Sequence, residues 1–200
     1  MPKNGLVLFK LFGFEIRVDA SWFVIAVLIT WSLATGAFPS YNPGLKAPVY
    51  WLMGAAGAFG LFCSIIIHEL FHSLVARRFG LKMSGITLFI FGGVAQMEHE
   101  PPSAKAEFFM AAAGPLTSVI VGIVFNLLHA LGTVIQAHEA VTGVLGYLGM
   151  INFILAAFNL IPAFPLDGGR VLRSALWKWK GDLLRATKIA SSIGAGFAVF

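Results

Sequence analysis

The chain has 200 residues, 58% of them hydrophobic and 12% charged, with a mean hydropathy of +0.84, which excludes an ordinary soluble domain and reads as an integral membrane protein. The net charge of +5 does not imply a nucleic-acid partner, because the basic residues are scattered at the edges of apolar runs, where membrane topology puts them. The single cysteine, Cys63, has no partner for an intramolecular disulfide and reads as a packing residue of an apolar helix.

The chain opens with Leu6 to Asp19, where Phe14, Ile16 and Val18 alternate with Glu15, Arg17 and Asp19. That alternation predicts a strand, with Phe12-Gly13-Phe14 as the bend of a small hairpin at the membrane surface. Lys10, Glu15 and Arg17 break up the core a cleavable leader would need, so none is expected here. A first span is predicted from Ala20 to Ala37, followed by a Pro/Gly/Asn turn region from Phe38 to Pro48.

The second apolar run has no charge between Lys46 and Glu69 and is long enough to cross roughly 30 Å of hydrocarbon. It carries His68-Glu69-Leu70-Phe71-His72, an H-E-x-x-H. Histidines four apart in a helix differ by about 40° around its axis, so both imidazoles leave on one face and can hold one metal ion. Glu69 is placed to accept a proton from an attacking water, the hydrolytic arrangement expected of such a helix. An ionisable Glu at mid-membrane costs about 2.5–3.5 kcal/mol on insertion scales, which argues against a purely structural role.

After Arg77-Arg78 comes Met83 to Met97, rich in β-branched and aromatic residues and broken by Gly92-Gly93. It is too short for a span and is expected to form a hairpin dipping into the membrane. Non-helical backbone survives at that depth only against protein or a watery cavity, so the hairpin is expected to face the metal. Glu98-His99-Glu100 reads as a solvated loop before Pro101-Pro102 rather than a second metal cluster. A third span is predicted from Phe108 to about Leu131 and a fourth from about Gly143 to Ile161, with His129 and His138 as interfacial groups. Gly168 to Lys180, with Trp177 and Trp179, reads as a short basic interfacial helix. A fifth span is expected from near Thr187.

With a cytoplasmic N-terminus, the inside segments hold thirteen of the fourteen basic residues and only Lys46 lies outside, which fixes the expected orientation. His72 is then six residues from Arg78, roughly 9 Å deep at about 1.5 Å per residue, so the site is expected near the cytoplasmic face. A catalytic zinc takes three protein ligands and keeps a fourth position open. Asp167, at the cytoplasmic end of the fourth span, returns to the depth of His72, and Pro162 and Pro165 distort the backbone before it. It is the best candidate for the third ligand, its alternative being a cap for the helix that follows. Two i, i+4 stripes of small residues, Ala56-Gly60-Ser64-His68-His72 and Gly114-Ser118-Gly122-Asn126, predict that the second and third spans pack closely around the metal.

His68-Glu69-Leu70-Phe71-His72, Phe91-Gly92-Gly93-Val94-Ala95, Ala113-Gly114-Pro115-Leu116 and Asn159 through Pro162 to Leu166-Asp167-Gly168-Gly169 resemble, in order, the motifs of the site-2 protease family of intramembrane zinc metalloproteases. The resemblance implies a polytopic, mainly α-helical bundle, of whose six core spans about five fall in this chain, with small β-hairpins near the cytoplasmic face. It implies one Zn2+ per chain on His68, His72 and Asp167, with Glu69 as general base and acid. It also implies Asn159 as a substrate- or oxyanion-binding group, whose bland alternative is an interhelical hydrogen bond. The expected activity is hydrolysis of peptide bonds within or near the membrane segment of a single-span protein substrate. The expected location is the cell membrane, with the bilayer as partner and no nucleic acid. Residues 1–200 are expected to form one protease domain cut short at its C-terminal end; the CBS domains carried by similar family members are not in this sequence. A non-proteolytic zinc-binding scaffold and a metal transporter are the alternative readings. The presence of Glu69 disfavours the first, and the gathering of polar groups near one face disfavours the second.

Overall fold

The computed structural model describes residues 5–81, 83–89, 92–97 and 100–197. β1 (Leu6–Leu11) and β2 (Phe14–Val18) form the expected antiparallel pair, joined at Phe12 and Gly13, both with positive φ. Phe14, Ile16 and Val18 are buried, in step with the alternation in the sequence. β3 (Met83–Phe89) and β4 (Gly92–Met97) form the second antiparallel pair. Gly92 and Gly93 lie inside β4, paired with Phe89 and Leu88. The two hairpins are not separate. β2 runs parallel to β3, with Ile16 opposite Ile86 and Val18 opposite Leu88, giving one four-stranded sheet in the order β1-β2-β3-β4. The reason is burial: Phe14, Ile16 and Ile86 make one apolar cluster with Leu70 of the metal-motif helix, which neither hairpin could cover alone.

Among the described residues, four helical segments are long and apolar enough to cross a membrane: Ala20–Tyr41, Ala47–Arg78, Ala104–Val134 and Glu139–Asn159. The first comprises α1 (Ala20–Ser32), a π-helical turn (Leu33–Ala37) and α2 (Phe38–Tyr41). It therefore runs four residues beyond the expected end at Ala37. The widened turn, in which the Phe38 amide reaches back to the Leu33 carbonyl, admits Pro39, which has no amide to donate. Asp19 caps α1 by accepting from the Ser21 amide at 2.9 Å and the Ser21 hydroxyl at 2.6 Å. These bonds, the hydroxyl foremost, hold its carboxyl below its ordinary range.

The remaining helices are α3 (Ala47–Arg78), α4 (Ala104–Val134), α5 (Glu139–Asn159), α6 (Asp167–Lys180) and α7 (Leu183–Phe197). α6 is amphipathic and shorter than a span; α7, where a fifth span is expected from near Thr187, starts at Leu183 and, over its 15 described residues, is not among the four membrane-crossing segments. Arg77, in the last turn of α3, donates to the Phe12 carbonyl at 2.8 Å and lies over the Phe14 ring. The sheet is thereby fixed at the end of α3 that carries the H-E-x-x-H.

The small-residue stripe on α3 holds from Gly60 to His72 but not at Ala56, which is exposed, while Gly54 and Gly57 are buried. Each i, i+4 step advances about 40° around the helix, so four steps carry the stripe well away from its starting face. The close approach at this end belongs to Gly54, where an added Cβ would lie 2.6 Å from the Thr30 carbonyl oxygen of α1. Gly54→Leu is therefore expected to lower the unfolding free energy in mild detergent by about 1–3 kcal/mol, the usual cost of overpacking. Gly36→Ala, whose Cβ meets nothing within 4 Å, is expected to change it by less than about 0.5 kcal/mol; equal effects would contradict the packing described.

Candidate metal centre

His68, His72 and Asp167 are brought together. Their relative exposures of 3%, 6% and 7% place all three inside the protein. The His68 and His72 Nε2 atoms are 3.1 Å apart, and Asp167 Oδ2 lies 3.1 Å from the first and 3.0 Å from the second. Three ligands on a tetrahedral cation with bonds of about 2.0–2.1 Å stand roughly 3.3 Å apart, so the triangle has the size of a zinc site.

The far sides of the imidazoles decide which atoms point inward. His72 Nδ1 is 2.6 Å from the Met110 carbonyl oxygen. A carbonyl only accepts, so Nδ1 carries the proton and Nε2 turns a lone pair towards His68 and Asp167. His68 Nδ1 is 2.9 Å from Ser118 Oγ, an acceptor for the same tautomer. Two imidazole lone pairs and a carboxylate oxygen thus converge on one point, and repulsion among them is relieved by a cation. Two nitrogens and one oxygen suit zinc.

α4 supplies these outer partners because its face towards α3 is nearly bare. Gly114 lies between Met110 and Ser118 along the helix, and a Cβ there would run into His72 Nε2 and approach His68 Nε2 to 2.5 Å. Farther along, an added Cβ at Gly122 would meet the Phe153 ring of α5, and one at Gly149 of α5 would meet Asn126. The α4 stripe thus packs on α3 at the ligands and on α5 beyond them.

Asp167 is the first residue of α6, with Leu166 in the capping position. Its carboxylate faces the imidazoles rather than capping the helix. The Gly168-Gly169 pair permits this, since a Cβ at Gly168 would strike the Leu160 and Ile161 carbonyls and one at Gly169 the backbone of Ala163 and Phe164. Glu69 follows His68 on α3 and is flanked by β4, where a Cβ on Gly93 would lie 2.9 Å from Glu69 Cγ. The hairpin therefore borders the site, as expected. Of the Glu98-His99-Glu100 run, Glu98 and His99 lie outside the described residues. His129 Nδ1 pairs with the Thr142 carbonyl, away from the metal ligands.

Asn159, the last residue of α5, is half-buried and donates to the Leu155 carbonyl of its own helix at 2.9 Å. Seven residues earlier Asn152 is completely buried and donates to Ser64 Oγ at 2.9 Å and to the Leu148 carbonyl at 2.8 Å. Its Oδ1 has no partner among the described residues. Sequence reasoning passed over Asn152, although it lies two turns from Asn159 on the same face of α5. Ser118 reads in the sequence only as a small residue, and the role of the Met110 carbonyl leaves no signal in the spacing.

Residues 56–135 and 126–200 match peptidase family M50. Rip3 of Mycobacterium tuberculosis is 41% identical over 184 residues, which is 92% of this chain and 47% of that protein. MJ0392 of Methanocaldococcus jannaschii, named a zinc metalloprotease, is 36% identical over 96% of this chain and 51% of its own length. The chain spans about half the length of these relatives. Among solved structures, a site-2 protease from Methanocaldococcus jannaschii superposes with a TM-score of 0.62 at 35% identity, over 98% of this chain and 82% of that one.

If α4 shapes the centre as described, Gly114→Ala is expected to weaken zinc binding roughly 10–100-fold, the range for disturbed outer contacts of a metal ligand. Competition against a chromophoric chelator measures this, and unchanged affinity would contradict the close approach of α4 to the imidazoles.

Proposed function

The chain belongs to peptidase family M50, the family of the site-2 proteases, and from that premise we propose that it hydrolyses peptide bonds within or near the membrane segment of single-span protein substrates. The observation that carries this reading is the convergence of His68, His72 and Asp167 beside Glu69, with both histidines and Glu69 on a helix long and apolar enough to cross a bilayer. In this reading these three residues hold one zinc ion, and the N-terminus and the site lie on the cytoplasmic side of the cell membrane. The distribution of basic residues supports that orientation.

Bound zinc supplies Lewis-acid chemistry, lowering the pKa of water towards 7 and polarising the scissile carbonyl. Glu69 then takes the proton of the attacking water and delivers it to the leaving amine. The Met110 carbonyl holds His72 in the tautomer that presents Nε2, and Ser118 Oγ accepts from His68 Nδ1 in the same tautomer. Asn159, at the end of α5 and eight residues before Asp167, is the proposed substrate- or oxyanion-binding group, a role supported by its place in the family's motif.

A substrate helix hides its carbonyls in its own hydrogen bonds and must unwind before attack. Among the described residues β4 is an edge strand of the sheet and borders Glu69, so its outer edge can take the unwound segment as a fifth strand. Proline at Val94 and, separately, at Ala95 removes an amide from each side of β4 in turn. One of the two is expected to reduce cleavage at least tenfold with zinc content unchanged; full cleavage in both variants would exclude the strand-addition step.

The proteolytic reading itself is tested with purified, zinc-loaded full-length protein and a single-span substrate, the cut located by mass spectrometry. A cut in the hydrophobic segment is expected, lost by at least 100-fold in Glu69→Gln while zinc stays bound. Equal cleavage by Glu69→Gln would remove Glu69 from the chemistry.

A further inference from the structure

Glu107 is completely buried in the first turn of α4. Its Oε1 accepts from Arg173 Nε of α6 at 2.7 Å and pairs with Arg173 Nη2, while its Oε2 is buried with no partner among the described residues. Glu100 stands at the exposed margin, 3.5 Å from the same Nη2. The guanidinium also lies over the Phe164 ring, 5.4 Å from its centroid. A buried ion pair is a poor source of stability, since apolar residues of similar volume commonly do as well or better. Its worth lies in fixing which surfaces meet. Here those surfaces carry the metal centre. Glu107 is one turn before Met110, whose carbonyl orients His72. Arg173 belongs to α6, which begins with Asp167, and covers Phe164 in the loop leading to it.

We propose that the Glu107–Arg173 pair is a positioning device for the metal centre, locking α6 and its preceding loop against α4 so that the Asp167 carboxylate is held at the two imidazoles. The inference rests on the metal-site reading above. Neither residue is one of the three candidate ligands; both act through Asp167. This separates the proposal from a general contribution to folding. A lock that works through Asp167 has nothing to position once that carboxylate is gone.

The test is zinc affinity, by chelator competition, of the full-length protein and of Arg173→Met, Arg173→Lys and Glu107→Gln, each in the native background and in Asp167→Asn. In the native background Arg173→Met is expected to weaken zinc binding roughly 10–100-fold, with Arg173→Lys in between because it keeps the charge but loses the fork. In the Asp167→Asn background, already weakened, the same change is expected to cost less than about twofold, the non-additivity of two residues acting through one contact. Equal losses in both backgrounds, or no loss in the native one, would overturn the proposal. Should Arg173→Met not fold, the near-isosteric Glu107→Gln carries the same comparison. A native protein that binds no zinc would instead refute the metal-site reading.

Discussion

Three lone pairs aimed at one point inside a protein repel one another, and in a hydrocarbon setting no bulk water spreads their charge. The ligand atoms of His68, His72 and Asp167 are grouped as a metal ion would require, and much of the chain is organised to impose that arrangement. α3 supplies the two imidazoles at the one helical spacing that brings them to a common face. α4 gives up its side chain at Gly114 so that its backbone can press against the rings, sets the His72 tautomer with the Met110 carbonyl and gives His68 a hydrogen-bond partner in the Ser118 hydroxyl. α6 starts at Asp167 because the Gly168-Gly169 pair lets its first turn nest into the loop after α5. Each contact is modest alone; together they determine where three ligand atoms meet.

The apolar surface left over has a matching logic. Large side chains such as Phe23, Val27 and Leu52 on the first two spans and Leu127 and Leu131 on α4 are exposed, as expected of helices whose solvent is lipid. Between helices, contact depends on small residues rather than interdigitating large ones: Gly54 against Thr30, Gly60 against Leu148, Gly122 against Phe153. Lipid tails are as apolar as leucine, so close backbone approach and occasional polar links such as Asn152 to Ser64 supply the cohesion. The sheet adds what the helices cannot, a strand edge next to Glu69 that pairs with no further strand among the described residues.

Much of this is legible in the sequence because it depends on local periodicity. The H-E-x-x-H needs only the pitch of one helix, the alternation from Phe14 to Val18 only the pleat of one strand, and the spans only their length. Asp167 was reachable because topology returns it to the depth of His72. What escaped depends on contacts between distant segments. The parallel pairing of β2 with β3 joins residues about 70 apart, the tautomer of His72 is set by a backbone carbonyl that any residue at position 110 would offer, and Arg173 meets Glu107 across two helices. The failure at Ala56 is of another kind, since a four-residue stripe drifts around a 3.6-residue helix. Asn152 was overlooked because an isolated amide in an apolar span carries no spacing signal.

The most direct test of the centre is X-ray absorption at the zinc edge of the purified protein, alone and as His72→Ala. The arrangement described here requires only light atoms at about 2.0–2.1 Å, with the outer-ring scattering of two imidazoles falling to that of one in the variant. A shell containing sulfur, or imidazole scattering that does not change when His72 is removed, would show that the metal is held elsewhere.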